Sequence, residues 1–259
     1  MRYFIEVAYQ GTNYAGWQIQ NNAPSVQAEI EKVLSIVLKE EISITGSGRT
    51  DTGVHASQQF AHFDTNKAIE TDLCRNLNPI LPKDICIKNI YEVAPDAHSR
   101  FDAIRRSYRY KIIQQKNPFL EHLATFVPYR LDVEAMQLAA TKLLHYTDFE
   151  AFSKVKANVK NFRCKIEKAT FYHTKDIFSE AEVLVFEISA NRFLWGMVRA
   201  IVGTLLEVGR KKIDVARFEE IIKSRNRAEA AGAAPPQGLY LSEVLYPYSS
   251  IFQNGQSSI

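Results

Sequence analysis

Cysteine is scarce and unpatterned. Cys74, Cys86 and Cys164 are odd in number and no pair has metal-ligand spacing, so a disulfide framework and a zinc knuckle are both excluded and a reducing compartment is expected. Long hydrophobic runs are also missing. The most apolar stretch, Phe193 to Val208, contains Arg199 and Glu207, which is wrong for a membrane span. The opening "MRYFIEVAYQ" lacks the apolar run and small-residue cleavage site of a secretory signal, so a cytoplasmic protein is expected. No charge of one sign dominates. The formal net charge is +3, which does not by itself announce a polyanionic partner.

What is present is ordinary core material: 46% hydrophobic residues against 24% charged, enough for one large domain or two closely packed ones. Charge is unevenly spread. Arg100, Arg105, Arg106, Arg109 and Lys111 face only Asp102 in their segment. Lys154, Lys156, Lys160, Arg163, Lys165 and Lys168 face only Glu167. Arg210, Lys211 and Lys212 form a third group. Each cluster alone reads as a solvated face. Three, with aromatics interleaved, suit a phosphate backbone.

Hydrophobic periodicity predicts strands at Arg2–Tyr9 (an alternating pattern), Glu41–Thr45, Ser57–Asp64 and Ile85–Val93, with helices at Ser25–Lys39 and Ile69–Leu77. Val26, Ile30, Val33, Leu34 and Val37 form the apolar face of the first helix, which Ser25 can cap. Further on, strands are predicted at Tyr108–Ile113, Lys165–His173, Val183–Ala190 and Leu239–Tyr246. Helices are predicted from Asp132 to Tyr146, Phe193 to Val208 and Val215 to Lys223. The mixture predicts α+β, divided as 1–104, 105–248 and a polar tail, 249–259. The order of elements repeats, but no residue-level repeat does.

Four stretches carry chemistry. In "GSGRTDTGVHA" (Gly46 to Ala56), glycines open room for a ligand at a strand-to-loop junction, where Asp51 can serve as nucleophile or general base. The bland alternative is a tight turn with Asp and Thr bonding their own backbone. In "HSRFDAIRRSYRY" (His98 to Tyr110), strand geometry puts Arg106, Tyr108 and Tyr110 on one face, which suits a stacked base and its phosphate or simply cross-strand packing. In "NRFLWGMVRAIVG" (Asn191 to Gly203), Arg199 lies in an otherwise apolar helix and demands a partner, with Asp51 the outstanding carboxylate candidate. Gly196 and Gly203 share its face and leave a groove. "AAPPQGLYL" (Ala233 to Leu241) sets a loop before the last strand.

Together with "YQGTNYAGWQIQ" (Tyr9 to Gln20), "SVQAEIEKVL" (Ser25 to Leu34) and "FLWGMVRAIVGTLLEVG", these stretches resemble the tRNA pseudouridine synthase A family over nearly the whole chain. The resemblance implies two similar α/β halves sharing a central antiparallel sheet, with an active-site cleft between them. It implies a homodimer without cofactor or metal, converting uridine to pseudouridine at positions 38, 39 and 40 of the tRNA anticodon stem-loop. Asp51 matches the family's catalytic aspartate and Arg49 the arginine that helps flip the target base. Tyr108 matches the tyrosine that stacks on uracil and Arg199 the arginine expected to pair with the aspartate. His98, Arg100 and Phe101 match an RNA-contacting segment; Lys154, Lys156 and Lys160 are expected to meet phosphates. His55 is expected to be structural. The chain departs from the family at Ser107, where an arginine is common, and after His62-Phe63, where an arginine is missing and Lys67 and Ile69 stand near its place. Arg163 and Lys165 both fit one further arginine. The rival readings are a non-catalytic RNA-binding module and a carboxylate glycosidase. The latter usually needs a second acid for the leaving group, and these motifs contain none in position.

Overall fold

A computed structural model describes residues 1–69, 72–154 and 161–247. The elements run β1 (Arg2–Tyr9), α1 (Val26–Leu38), β2 (Thr45–Gly46), β3 (His55–Asp64), α2 (Leu73–Leu77) and β4 (Ile85–Val93). They continue with β5 (Arg105–Ile113), β6 (Thr125–Phe126), α3 (Val133–Lys142), β7 (Ile166–Lys175), β8 (Glu182–Ala190), α4 (Met197–Gly209), α5 (Val215–Ser224) and β9 (Leu239–Leu245). The chain divides into two compact units: Met1–Arg105 with the chain from Leu241 onward, and Arg106–Tyr240. Each combines helices with a sheet, so the α+β class expected from the pattern is what forms.

In the first unit β1 lies between β3 and β4, antiparallel to both, and β2 adds to β3. Flanked on both sides, β1 does not keep the alternation its sequence suggests. Tyr3, Phe4, Ile5, Val7 and Tyr9 are all buried, and so is Glu6. Burial would push the Glu6 carboxyl up, but donors from Asn89, Gln58 and Lys88 hold it below the usual range, with Tyr91 OH donating as well. α1 buries Val26, Ile30, Val33, Leu34 and Leu38, each contributing roughly 1.5–3 kcal/mol. Its N-terminus is closed by Ser25 Oγ accepting from Ala28 N, 3.3 Å.

The strand expected at Glu41–Thr45 forms only at Thr45–Gly46. α1 side chains take the backbone groups a ladder would have used. Ile42 N donates to Ser35 Oγ and Ile44 N to Glu31 Oε1, while Gln27 Nε2 donates to Ile44 O. The helix expected from Ile69 is found at Leu73–Leu77; Glu70 and Thr71 lie outside the described residues. From Leu241 the chain returns to this unit as β9, beside β3. Tyr246 then packs edge-on against Phe4 and Phe60, with its hydroxyl donating to Ser99 O at 2.5 Å.

In the second unit β8 lies between β5 and β7, antiparallel to both, while the two-residue β6 runs parallel to β5. The antiparallel expectation therefore holds except at β6. Asp132 Oδ1 caps α3 through Ala135 N, and Asp214 Oδ1 caps α5 through Arg217 N. The pattern expected to be helical up to Tyr146 tightens after Lys142 into a 3-10 turn, Leu143–His145. α4 is buried nearly all round. It begins at Met197, four residues later than its apolar pattern, because Gly196 takes φ 73°, a left-handed conformation outside the helix.

Candidate active site and nucleic-acid interface

The loop from Gly46 to Ala56 is held at almost every residue. Ser47 N donates to Phe60 O, and Ser47 Oγ donates to Gln59 Oε1. Gln59 Nε2 returns to Gly48 O at 2.9 Å. Thr50 is buried, with its Oγ1 2.8 Å from Tyr9 OH and its carbonyl accepting from Trp17 N. Gly53 N donates to Tyr14 O and Val54 N to Asp51 O. His55 is fully buried, and its Nδ1 accepts from Gly11 N at 3.0 Å. Gly16, at φ 107°, lies so close that a Cβ there would collide with the Thr50 carbonyl oxygen.

The result is an alternation: Arg49 exposed, Thr50 buried, Asp51 half-buried. Thr50 anchors the backbone between an exposed Arg49 and a half-buried Asp51. Thr50 Oγ1 bonds Tyr9 rather than its own backbone, while Val54 N closes a tight turn onto Asp51 O. His55 is a brace, as expected. Gln59, Tyr9 and Gly16 support this loop without belonging to its motif. The legible signal was Gln59, a polar residue within a strand that is buried on most positions.

Close by in the same unit, His62 Nδ1 accepts from Ser99 N at 3.2 Å, and Ser99 Oγ donates to Thr45 O. Burial first, then the neighbouring charge of His98, push the His62 imidazole down to about 4. Its ring meets the His98 ring at 4.7 Å, and His98 meets Phe101 at 4.2 Å. Phe101 is 74% exposed, with the Arg100 guanidinium 5.7 Å from its centroid. His98, Arg100 and Phe101 thus form one outward-facing aromatic and cationic group.

In the second unit Tyr108 stands edge-on to Phe193, ring centroids 5.1 Å apart at 90°. Tyr110, its neighbour on the same strand face, is core: its hydroxyl donates to Pro235 O and lies 2.6 Å from Thr125 Oγ1. Arg199 is half-buried rather than buried, and its Nε donates to Ala234 O at 2.7 Å while Ala234 N donates to Arg199 O. A backbone carbonyl therefore meets part of the demand that the apolar helix suggests a carboxylate should meet. The groove beside Arg199 is filled by the chain itself: a Cβ on Gly203 would strike the Gly232 carbonyl oxygen. Ser107, where the family often has arginine, is buried and accepts from Ser189 Oγ.

Tertiary contacts thin the basic clusters. Lys211 pairs with Asp132, and both Arg210 and Lys212 pair with Glu207. Arg105 pairs with Glu243, Arg109 and Lys168 with Glu187, and Lys111 lies over the Tyr240 ring. Lys154 keeps an exposed position over Trp195, whereas Lys156 and Lys160 lie outside the described residues. Among the described residues no group of three or more His, Cys, Asp or Glu could hold a metal ion, and no helix is long and apolar enough to cross a membrane.

A family model described as tRNA pseudouridine synthase matches residues 5–102 and 139–247. The tRNA pseudouridine synthase A of Porphyromonas gingivalis is 44% identical over 249 residues, 95% of this chain and 97% of that protein. Those of Parabacteroides distasonis and Bacteroides thetaiotaomicron are 45% and 44% identical, covering 95% and 100% of this chain and 96% and 95% of theirs. Likeness to solved structures is slight: an unknown protein from Galdieria sulphuraria shares 11% identity over 82% of this chain and 92% of that one, at a TM-score of 0.20, which carries no argument. With its family model spread over both units and its relatives matching end to end, the chain belongs to the tRNA pseudouridine synthase family, a family of isomerases.

Proposed function

We propose that this protein converts uridine to pseudouridine at positions 38, 39 and 40 of the tRNA anticodon stem-loop, with Asp51 as the catalytic carboxylate. The observation that carries the reading is the build of the Gly46–Ala56 loop, which immobilises Thr50, Gly53 and His55 through other elements and leaves Asp51 half-buried between them. A carboxylate that must reach one sugar carbon gains from such fixed placement.

The reaction is an isomerisation and is redox-neutral. The N1–C1′ bond breaks, the uracil turns, C5 bonds to C1′, and the C5 proton is lost while N1 gains one. As a nucleophile, ionised Asp51 attacks C1′, releases the uracil anion and is itself displaced when C5 attacks. As a base, it takes the proton from C2′ as the uracil anion leaves, giving a glycal; C5 then bonds C1′ while the Asp51 carboxyl returns that proton to C2′. Both routes regenerate the carboxylate and need no cofactor.

The target base must leave the helix stack, at a cost of a few kcal/mol. Arg49, exposed two residues from Asp51, is suited to occupy the vacated space. Tyr108, its ring set by Phe193, stacks on the uracil, and Arg199, held at Ala234, contributes to substrate binding. His98, Arg100 and Phe101 contact the RNA, as do Lys154, Lys156 and Lys160. The working form is a cytoplasmic homodimer. Incubation with tRNA tritiated at uridine C5 tests the reaction. Release of tritium is expected; free uracil would mean hydrolysis, and tRNA binding without either product would leave an RNA-binding module.

A further inference from the structure

Among the exposed aromatics of the second unit, Phe119 and Phe178 pack on each other and Tyr129 lies under Arg210, whereas Trp195 carries Lys154. It follows Leu194, which is buried, yet it is itself 51% exposed. Its position is nonetheless fixed: Lys154 N donates to Trp195 O at 2.9 Å, and the Lys154 ammonium lies 3.8 Å from the ring centroid. Gly196, at φ 73°, turns the chain away immediately afterwards. A cation at that distance sits over one face of the indole, holds the ring in one orientation, and leaves the opposite face as the one on which a base would stack.

The surroundings favour RNA over protein. From Lys154 to Lys168 the sequence has six basic residues and one acid, Glu167, and from Asn191 to Ala200 it has Arg192 and Arg199 and no acid. Lysine is depleted in protein–protein interface cores, whereas an aromatic face with an adjacent cation is the common unit of single-strand RNA binding. The position is informative too. Phe193, which sets the Tyr108 ring, is two residues before Trp195, so their Cα atoms are at most about 7 Å apart. That is on the order of one nucleotide step.

We propose that Trp195 is a stacking platform for an unpaired nucleotide of the bound tRNA adjacent to the target uridine, with Lys154 meeting that nucleotide's phosphate. The assignment rests on the reading of tRNA as substrate. Single-stranded loops expose bases for such stacking, and stacking tolerates any base.

The chain has two tryptophans, and Trp17 is buried behind the Asp51 loop, so the part of a fluorescence change on RNA binding that Trp195→Phe removes reports Trp195. Titration with an unmodified tRNA transcript is expected to quench emission, and Trp195→Phe is expected to abolish the quench while keeping most of the affinity measured by filter binding. Trp195→Ala is expected to weaken binding by roughly 5- to 100-fold, with its thermal melt near that of the wild type. Binding and tritium release without any quench would overturn the platform and leave the proposed activity standing. Absence of tRNA binding by the wild-type protein would overturn both. A change in Trp195 emission that follows protein concentration without RNA would place the ring between two copies of the chain and overturn the proposal.

Discussion

The loop around Asp51 and the surface around Lys154 and Trp195 use side chains in opposite ways. In the loop, polar groups from two other stretches, Tyr9–Trp17 and Gln59–Phe60, fix the backbone on either side of Asp51. At the surface, the cation and the aromatic brace each other and stay exposed. Chemistry at a single bond needs positions accurate to a fraction of an ångström. Attraction for a polyanion needs charge and a flat ring, and tolerates displacement. Damage to the first region should therefore collapse turnover, and damage to the second should shift affinity.

The sharpest way to break the comparison is Asp51→Asn. It preserves the loop's shape, so tritium release should fall by roughly 1,000-fold or more while tRNA still binds. Retention of a substantial fraction of wild-type turnover would remove Asp51 from the mechanism. Gly16→Ala comes next. It puts a methyl group against the Thr50 carbonyl and strains a left-handed residue, so it should destabilise the protein by about 1–3 kcal/mol in a denaturant melt and lower kcat far more than tRNA affinity. An unchanged melt would show that the loop yields easily.

The His62 imidazole tests the same unit through pH. Its folded pKa, about 4, is below the ordinary value. Between that pH and about 6.5 the unfolded chain therefore binds the extra proton, and stability should fall as pH drops through this window, by up to about 3 kcal/mol. Below it the contribution should level off. His62→Gln should flatten this slope in denaturant melts at a series of pH values; an identical slope would place the acid sensitivity elsewhere. The smallest effect is expected from Lys154→Ala combined with Lys156→Ala and Lys160→Ala. Each lost phosphate contact should reduce the log–log salt slope of tRNA binding by roughly 0.7–0.9, with kcat little changed. An unaltered slope would make the cluster a solvated face.

Most elements were legible because each carries its own signal. α1 shows the helical apolar repeat and its Ser25 cap. The misread boundaries share a different cause. Residues 41–44 look like a strand, but α1 side chains satisfy their backbone. α4 looks longer than it is, because periodicity continues through a residue that Gly196 has turned out of the helix. Both depend on groups distant in sequence or on a backbone angle, neither of which hydrophobic pattern records.

The candidate site divides in the same way. Asp51, Arg49, Tyr108 and Arg199 stand in motifs specific enough to name the family, and the roles proposed for them rest on those motifs. The supports of the loop could not be named, since Gln59, Tyr9 and Gly16 reach it only after β1, β3 and the first turns have folded together. Nor could the sequence show that Lys211 would find Asp132, or that Arg109 and Lys168 would share Glu187. Local pattern is set by backbone sterics and burial within a few residues, so the linear chain determined its elements, its class and its reactive motifs. Which charges are neutralised, which carbonyl receives Arg199, and which ring stays exposed were decided by tertiary packing, because those depend on partners that only folding brings within hydrogen-bonding distance.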